Sequence, residues 1–366
     1  MKKINYKSAG VDIDAGAIEI AKLRLFLFLT VDTDVIEKIE PLPNLDFKIM
    51  QGNSLVEDFH GVILDINKKM DKQGSIFEDI SMEEKLISDL HNIQMIYLNE
   101  SDFDKKLFLK NKIEKAIKDI FLFKCKEKSK LIDVSKIKED IERTFETQIF
   151  KPFFFWKLYF SDVFYEKGGF DIVIGNPPYV EARHSDFSDK MKIENQRNVK
   201  LRWGEEGLKH IGRGSDLLIY FFELALHISH SKTPIVFVAS NAWLSTMYGK
   251  KFQNFLLKKT YVSKIIDSDF KIFSSANINA VISIFIGNKP VKDHKKTIQF
   301  IKFHSQNKNI NLSKISDENK EVTIKEYDYS SKIIYEKKWE ILSSTTKDIL
   351  SIIEKGEKKG LFLNEI

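Results

Sequence analysis

Asn176-Pro177-Pro178-Tyr179 is the run best suited to chemistry in this sequence. It follows FDIVIG, whose unbroken apolar character is that of a buried strand, and it stops that strand abruptly. Two successive prolines fix φ and remove two N–H donors, so the turn presents carbonyl oxygens held rigidly beside the Asn176 side chain. Such a turn accepts hydrogen bonds from an NH2 group. An exocyclic amine conjugated to a ring is a poor nucleophile. If the Asn176 Oδ1 and the Pro177 carbonyl accept its two protons, the nitrogen is pushed toward tetrahedral geometry and its lone pair is localised. Tyr179, next in line, offers a π face to the flat ring bearing that amine, a contact of about 1–3 kcal/mol in base stacking. The plainer alternative is a polar Asn-Pro turn with no ligand.

Two further strand ends could hold a nucleotide. In Gly10-Val11-Asp12-Ile13-Asp14, Asp12 sits where a short strand should end, and an acidic residue there binds ribose hydroxyls in nucleotide-binding α/β units. A helix N-cap is the competing reading, and Asp14 suits it. Gly52-Asn53-Ser54 closes the next strand and could set the Asn53 amide on the edge of an adenine ring, or be a simple turn. Four of the six arginines, Arg183, Arg197, Arg202 and Arg213, fall between Tyr179 and the next apolar helix, mixed with His184, Lys200, Trp203, Lys209 and His210. A basic, partly aromatic loop beside the turn suits phosphates. Glu205, Glu206 and Asp216 in the same stretch equally suit a solvated surface loop.

The elements around these residues are legible as a pattern. AGVDID reads as a strand, residues 15–31 as a helix, and LDFKIM as a second strand. Residues 57–150 interleave lysine and acidic residues with apolar ones and contain no proline. Ile113, Ile117 and Ile120, then Ile137, Ile141, Phe145 and Ile149, repeat at helical spacing, so a helical insertion is expected. After FFFWKLYF and FDIVIG, Ser215 is expected to cap the helix DLLIYFFELALHI. Pro234 then introduces IVFVAS, residues 248–259 are amphipathic, and VSKIIDS, AVISIFI and TIQFIKF read as strands. The expected fold is α/β, with a mostly parallel sheet, an antiparallel hairpin at one end, and the helical insertion. Expected regions are 1–56 and 151–305 as two parts of one core, 57–150 as the insertion, and 306–366 as a linker or the start of another region.

Composition bounds the function. The 366 residues carry a formal net charge of only +5, so any polyanion must be met by a local patch. A single cysteine, Cys125, excludes a disulfide framework and every multi-cysteine metal site, and the eight histidines show no HExxH or paired spacing, so no metal is expected. The start MKKINYKSAG has no apolar stretch of the secretory kind, and the apolar runs Leu25–Leu29 and Phe153–Trp156 fall far short of the roughly 20 residues that span a bilayer. A cytoplasmic protein without a membrane partner is expected.

Taken together, GVDID with IAKLRL, LPNLDFKIMQGNSL, GGFDIVIGNPPYV, SDLLIYFFELAL, IVFVASNAWL with YGKKFQNFLL, and IIDSDFKIF resemble the gamma-type DNA N6-adenine methyltransferases. The likeness is strongest to the methyltransferase portion of type IIG restriction-modification enzymes, and it covers the chain up to about Asn288. The resemblance implies a Rossmann-like S-adenosylmethionine-dependent methyltransferase. It implies that Asp12 and Ile13 meet the cofactor ribose and Asn53 its adenine. Asn176, Pro177, Pro178 and Tyr179 would form the catalytic motif around a flipped adenine, with Phe273 stacking on that base from the other side. Phe273 could equally be a hairpin core residue. Base flipping follows because N6 cannot be reached in a stacked duplex. Double-stranded DNA is the implied partner.

The family pattern begins with an Asp-Pro-x-x-Gly-x-Gly loop, which is not found ahead of Asp12; the only G-x-G here is Gly212-Arg213-Gly214. The expectation is therefore a piece of a longer polypeptide, with a separately encoded upstream segment or a target-recognition subunit as possible partners. Alternatives left open are a non-catalytic or split-subunit fragment, and the same chemistry on RNA or on a protein glutamine.

Overall fold

The computed structural model describes residues 9–31, 45–59, 62–63, 82–128, 139–140, 142–143, 152–180, 188–211, 215–244, 246–268, 280–287, 297–305 and 322–330. The chain divides into two compact units, 1–168 and 169–366. The fold is α/β, as the alternation of strand and helix patterns implies.

In the first unit, β1 (Gly10–Asp12) and β2 (Ile49–Gln51) pair in parallel, with Asp12 opposite Gln51. Parallel neighbours need a crossover, and α1 (Ala15–Val31) lies within it. Asp14 caps α1: its Oδ1 accepts from the Ala17 amide at 2.8 Å. Two short strands, β3 (Asp58–Phe59) and β4 (Val62–Ile63), pair antiparallel. Within the stretch expected to be helical, α2 (Met82–Asn99) and α3 (Phe103–Lys128) pack on each other through Ile87, Leu90, Ile113, Ile117 and Ile120. Cys125 is buried.

The aromatic run 153–160 forms the centre of this unit. Phe153, Phe154 and Phe155 lead into α4 (Trp156–Tyr159) and α5 (Ser161–Lys167), and all three rings are buried. Gln94 of α2 fixes the run in place, because its Nε2 donates to the carbonyls of Leu158 (3.0 Å) and Tyr159 (3.3 Å) while its Oε1 accepts from the Ser161 hydroxyl.

The second unit holds β5 (Val173–Gly175), α6 (Asp189–His210), α7 (Leu217–Ile228), β6 (Pro234–Ser240), α8 (Met247–Lys259), β7 (Tyr261–Ser268), β8 (Ala280–Ile286), β9 (Thr297–Ser305) and β10 (Val322–Ser330). One six-stranded sheet has the order β10-β9-β7-β8-β6-β5. Strands β5, β6, β7 and β9 run one way; β8 is inserted antiparallel between β6 and β7, and β10 is antiparallel at the far edge. Burial alternates along β6, as a strand with one covered face requires. The core gathers around Phe222 of α7, whose ring lies 4.6 Å from Phe237, 5.2 Å from Phe252 and 5.2 Å from Phe285 between centroids.

Two local expectations change. The cap of α7 is Asp216, not Ser215: Asp216 is extended (φ −67°, ψ 158°), and its carboxylate accepts from the Tyr248 hydroxyl instead of capping the helix. The polar stretch after Tyr179 is helical over 189–210. Ser188 caps it by accepting from the Met191 amide at 3.2 Å, and a kink at Gly204 (φ +68°) divides it. Just before the kink, Arg202 donates through Nε to Glu223 Oε1 at 2.8 Å and through Nη2 to Oε2, and Trp203 Nε1 donates to the same carboxylate. The Arg202 and Glu223 side chains are 1% and 0% exposed, so this bidentate pair fastens α6 to α7.

Among the described residues no helix is long and apolar enough to cross a membrane. Removing one member of a buried ion pair strands the other charge, so Arg202→Met should lower stability by about 3–5 kcal/mol. Arg202→Met/Glu223→Leu should recover most of that loss. Urea melts followed by far-ultraviolet circular dichroism measure both, and an additive double variant would contradict the pairing.

Candidate functional site

Each unit brings part of the expected site together. In the second, β5 ends where the strand polypeptide must turn, and the Gly175 position is set by Phe237 on the neighbouring strand. A Cβ at Gly175 would come within 2.3 Å of the Phe237 ring, so only glycine lets that ring pass beneath the strand end. Asn176 follows with its side chain exposed, Pro177 is buried, Pro178 exposed and Tyr179 half-buried. The prolines cannot donate, and the turn is secured downstream of them. The Val180 amide donates to the Pro178 carbonyl at 2.9 Å, and the Leu217 amide, in the first turn of α7, donates to the Val180 carbonyl at 3.3 Å. That amide is one of the helix-end donors with no partner inside the helix. Among the described residues the Tyr179 hydroxyl is buried without a hydrogen-bond partner, and burial pushes its pKa above the usual tyrosine value.

In the first unit the two parallel strands carry Asp12 and Asn53 to neighbouring carboxyl ends. The Gly52 amide donates to the Asp12 carbonyl at 2.8 Å, and Gln51 Nε2 donates to the Ile13 carbonyl at 3.1 Å. Asp12 Oδ1 accepts from the Asp14 amide at 2.8 Å, which fixes the carboxylate at the strand tip. Ile13 is 51% exposed beside it. Asn53 Oδ1 accepts from the Leu55 amide at 3.2 Å, so the turn holds the amide in one orientation.

The brace behind this turn comes from about a hundred residues away. Phe154 donates its amide to the Val56 carbonyl at 2.7 Å, and Trp156 Nε1 donates to the Ser54 carbonyl at 2.9 Å. Reasoning from sequence missed this role of the FFFW run, and also that of Gln51. The cue for Gln51 was a polar residue at a strand end facing a loop; the aromatic run carries no local cue, because its partner is distant in the chain.

The other expected residues are placed unevenly. Arg183, Arg213 and Phe273 lie outside the described residues. Arg197 is on α6 and exposed. Arg202 is corrected: its guanidinium is turned inward and neutralised by Glu223, which removes it from any phosphate path. The exposed lysines of α6 include Lys200, paired with Glu205, and Lys192 is 3.1 Å from Asp189. Among the described residues no three His, Cys, Asp or Glu side chains gather as metal ligands would.

Residues 7–273 match the family model of the Eco57I restriction-modification methylase. A Methanocaldococcus jannaschii protein named as a type II restriction enzyme and methyltransferase, RM.MjaORFECS2P, is 24% identical over 323 residues, 77% of this chain and 26% of that protein. This chain therefore spans about a quarter of that relative's length. Among solved structures, the type IIG restriction endonuclease BpuSI is 16% identical with a TM-score of 0.34, covering 48% of this chain and 21% of that one. The M protein of the type I restriction enzyme EcoKI is 11% identical with a TM-score of 0.32, covering 52% and 47%.

The close approach at the Asn53 turn generates a test. A Cβ at Gly52 would lie 2.9 Å from Phe154 Cδ2 and 3.1 Å from the Phe153 carbonyl oxygen. Gly52→Ala should lower stability by about 1–3 kcal/mol through overpacking, and Gly52→Ala/Phe154→Leu should restore part of it. The urea midpoint reads both, and an unchanged midpoint in the single variant would contradict the brace.

Proposed function

Because this chain belongs to the Eco57I restriction-modification methylase family, we propose that it transfers the methyl group of S-adenosylmethionine to N6 of an adenine flipped out of double-stranded DNA. The observation that carries the reading is the turn at the end of β5. It pairs an exposed Asn176 side chain with a rigid double proline and a half-buried Tyr179 ring. The reaction needs two acceptors for the protons of a planar NH2 and a flat surface for its ring. Asn176 Oδ1 and the Pro177 carbonyl supply the first, and Tyr179 the second. With both N–H bonds accepted, the N6 lone pair is no longer spread into the ring. It would attack the methyl carbon in line, the N–C bond forming as the C–S bond breaks and the sulfur leaves as a thioether, and the positively charged N6 would then lose one of its protons to water. Catalysis is positioning plus electrostatic stabilisation, without a covalent intermediate on the protein.

The residues at the ends of β1 and β2 suit the cofactor. Asp12 Oδ2 would accept from ribose hydroxyls, Ile13 would cover the sugar, and the Asn53 turn would meet the adenine edge. When bound, S-adenosylmethionine supplies a methyl group on a sulfonium, which leaves as a neutral thioether. Phe273 would stack on the flipped base opposite Tyr179, and Arg183, Arg197 and Arg213 remain candidates for flanking phosphates. In this reading 57–150 is an insertion in the methyltransferase core, residues after about 306 begin a target-recognition region, and the protein works in the cytoplasm.

A second reading is favoured by the sheet edge. Strand β5 is apolar on both faces, a pattern of strands covered on both sides, yet it ends its sheet, and Ile172 and Ile174 are 59% and 76% exposed. A segment from outside this chain that completes the sheet would explain that exposure, and the active species would then be the two pieces together.

Asn176→Ala should abolish transfer of labelled methyl to duplex DNA while calorimetry shows cofactor binding within about threefold of the parent. An equal loss of both would make Asn176 a structural residue and sink the assignment. Comparing duplex DNA with RNA and with a glutamine-bearing protein as acceptors tests the choice of substrate.

A further inference from the structure

We propose that the outward face of α3, not the arginine-bearing segment after Tyr179, is the principal electrostatic contact of this chain with the phosphate backbone of duplex DNA. This rests on the DNA reading above and deepens it.

Structure moves the available positive charge. In α6 Arg202 is buried against Glu223, and Lys192 and Lys200 are paired with acidic neighbours on the same helix, while Lys190, Arg197 and Lys209 are exposed. Helix α3 differs. Its 26 residues carry nine lysines against four acidic residues, a surplus equal to the +5 of the whole chain. One face, with Ile113, Ile117, Ile120 and Phe121, is buried against the rest of the unit. On the opposite face Lys105, Lys112 and Lys115 are exposed at helical spacing, and Lys112 lies 4.5 Å above the ring of Phe108, itself 58% exposed. Asp104 and Asp119 share that face on either side of these lysines, and Lys126 is exposed beyond Asp119.

The form of the surface fits DNA. Lys105, Lys112 and Lys115 span about 15 Å along α3 at 1.5 Å per residue, a little under half of the roughly 34 Å of one duplex turn. Lysine ammonium groups on flexible stems meet phosphates as point charges without reading sequence. Each phosphate neutralised releases counterions, so such a surface leaves a signature in salt dependence.

The experiment measures fluorescence anisotropy of a labelled duplex with the full chain across a series of salt concentrations. The variants are Lys105→Glu/Lys112→Glu/Lys115→Glu and a control of equal charge change in the other unit, Lys232→Glu/Lys251→Glu/Lys258→Glu. Circular dichroism confirms that α3 remains helical. Three lost contacts should flatten the slope of log K against log salt by about 2–3 and weaken binding at least tenfold at about 0.1 M salt, while the control changes the slope by less than about 1. Equal effects of the two triples, or an unchanged slope in the α3 triple, overturn the inference and leave the DNA reading standing. If the α3 triple keeps its affinity for duplex but loses binding to polyglutamate, the face belongs to an acidic protein and the inference is also overturned. A parent chain that binds no duplex at any salt removes the DNA reading and this inference together.

Discussion

Two consecutive prolines at the end of a buried strand impose a backbone constraint on the second unit. Neither Pro177 nor Pro178 can donate a hydrogen bond, so the turn cannot fasten itself through its own amides. It is held from downstream, by the Val180 amide on the Pro178 carbonyl and by the Leu217 amide on the Val180 carbonyl. The stability of the turn therefore depends on where α7 begins. That helix is fixed in turn by Phe222 within the sheet-facing aromatic cluster and by Glu223, which receives Arg202 and Trp203 from α6. A single helix thus supports the turn with its first amide, the core with its apolar side chains and α6 with its one buried carboxylate.

The first unit solves a different problem. Two three-residue parallel strands are too short to stand alone, and their carboxyl ends must nevertheless hold two polar side chains steadily. Cross-strand bonds from Gly52 to Asp12 and from Gln51 to Ile13 tie the ends together, and the aromatic run 153–156 supports the loop from behind. Glycine at 52 permits that support because Phe154 occupies the space a side chain would need. The same run is anchored by Gln94, which couples the helical pair to the strand ends through a buried amide.

Much of this was legible in the sequence because it is local. The strand before Asn176, the apolar helix after it, the Asp14 cap and the spacing of Ile113, Ile117 and Ile120 all follow from neighbours within a few residues. What escaped was non-local or a contest between polar roles. The helix over 189–210 was hidden by its polarity, since its burial rests on few residues such as Val199 and on an ion pair whose acidic member lies beyond the next turn. Arg202 has the composition of a phosphate ligand and the position of a core residue, and only its distance to Glu223 decides between them. Ser215 and Asp216 are both good caps, and Tyr248, some thirty residues on, is what occupies Asp216. The insertion of β8 between β6 and β7 likewise has no signature in strands that read alike.

Sheet end, strand ends and basic helix converge on one chemical claim: that the Asn176 turn acts on the exocyclic amine of adenine. The most direct measurement is mass spectrometry of nucleosides digested from duplex DNA after incubation with this chain and S-adenosylmethionine carrying a deuterated methyl group. The account predicts N6-methyladenine as the sole labelled nucleoside. Label in 5-methylcytosine, or none in any base even with a sheet-completing segment supplied, would contradict it.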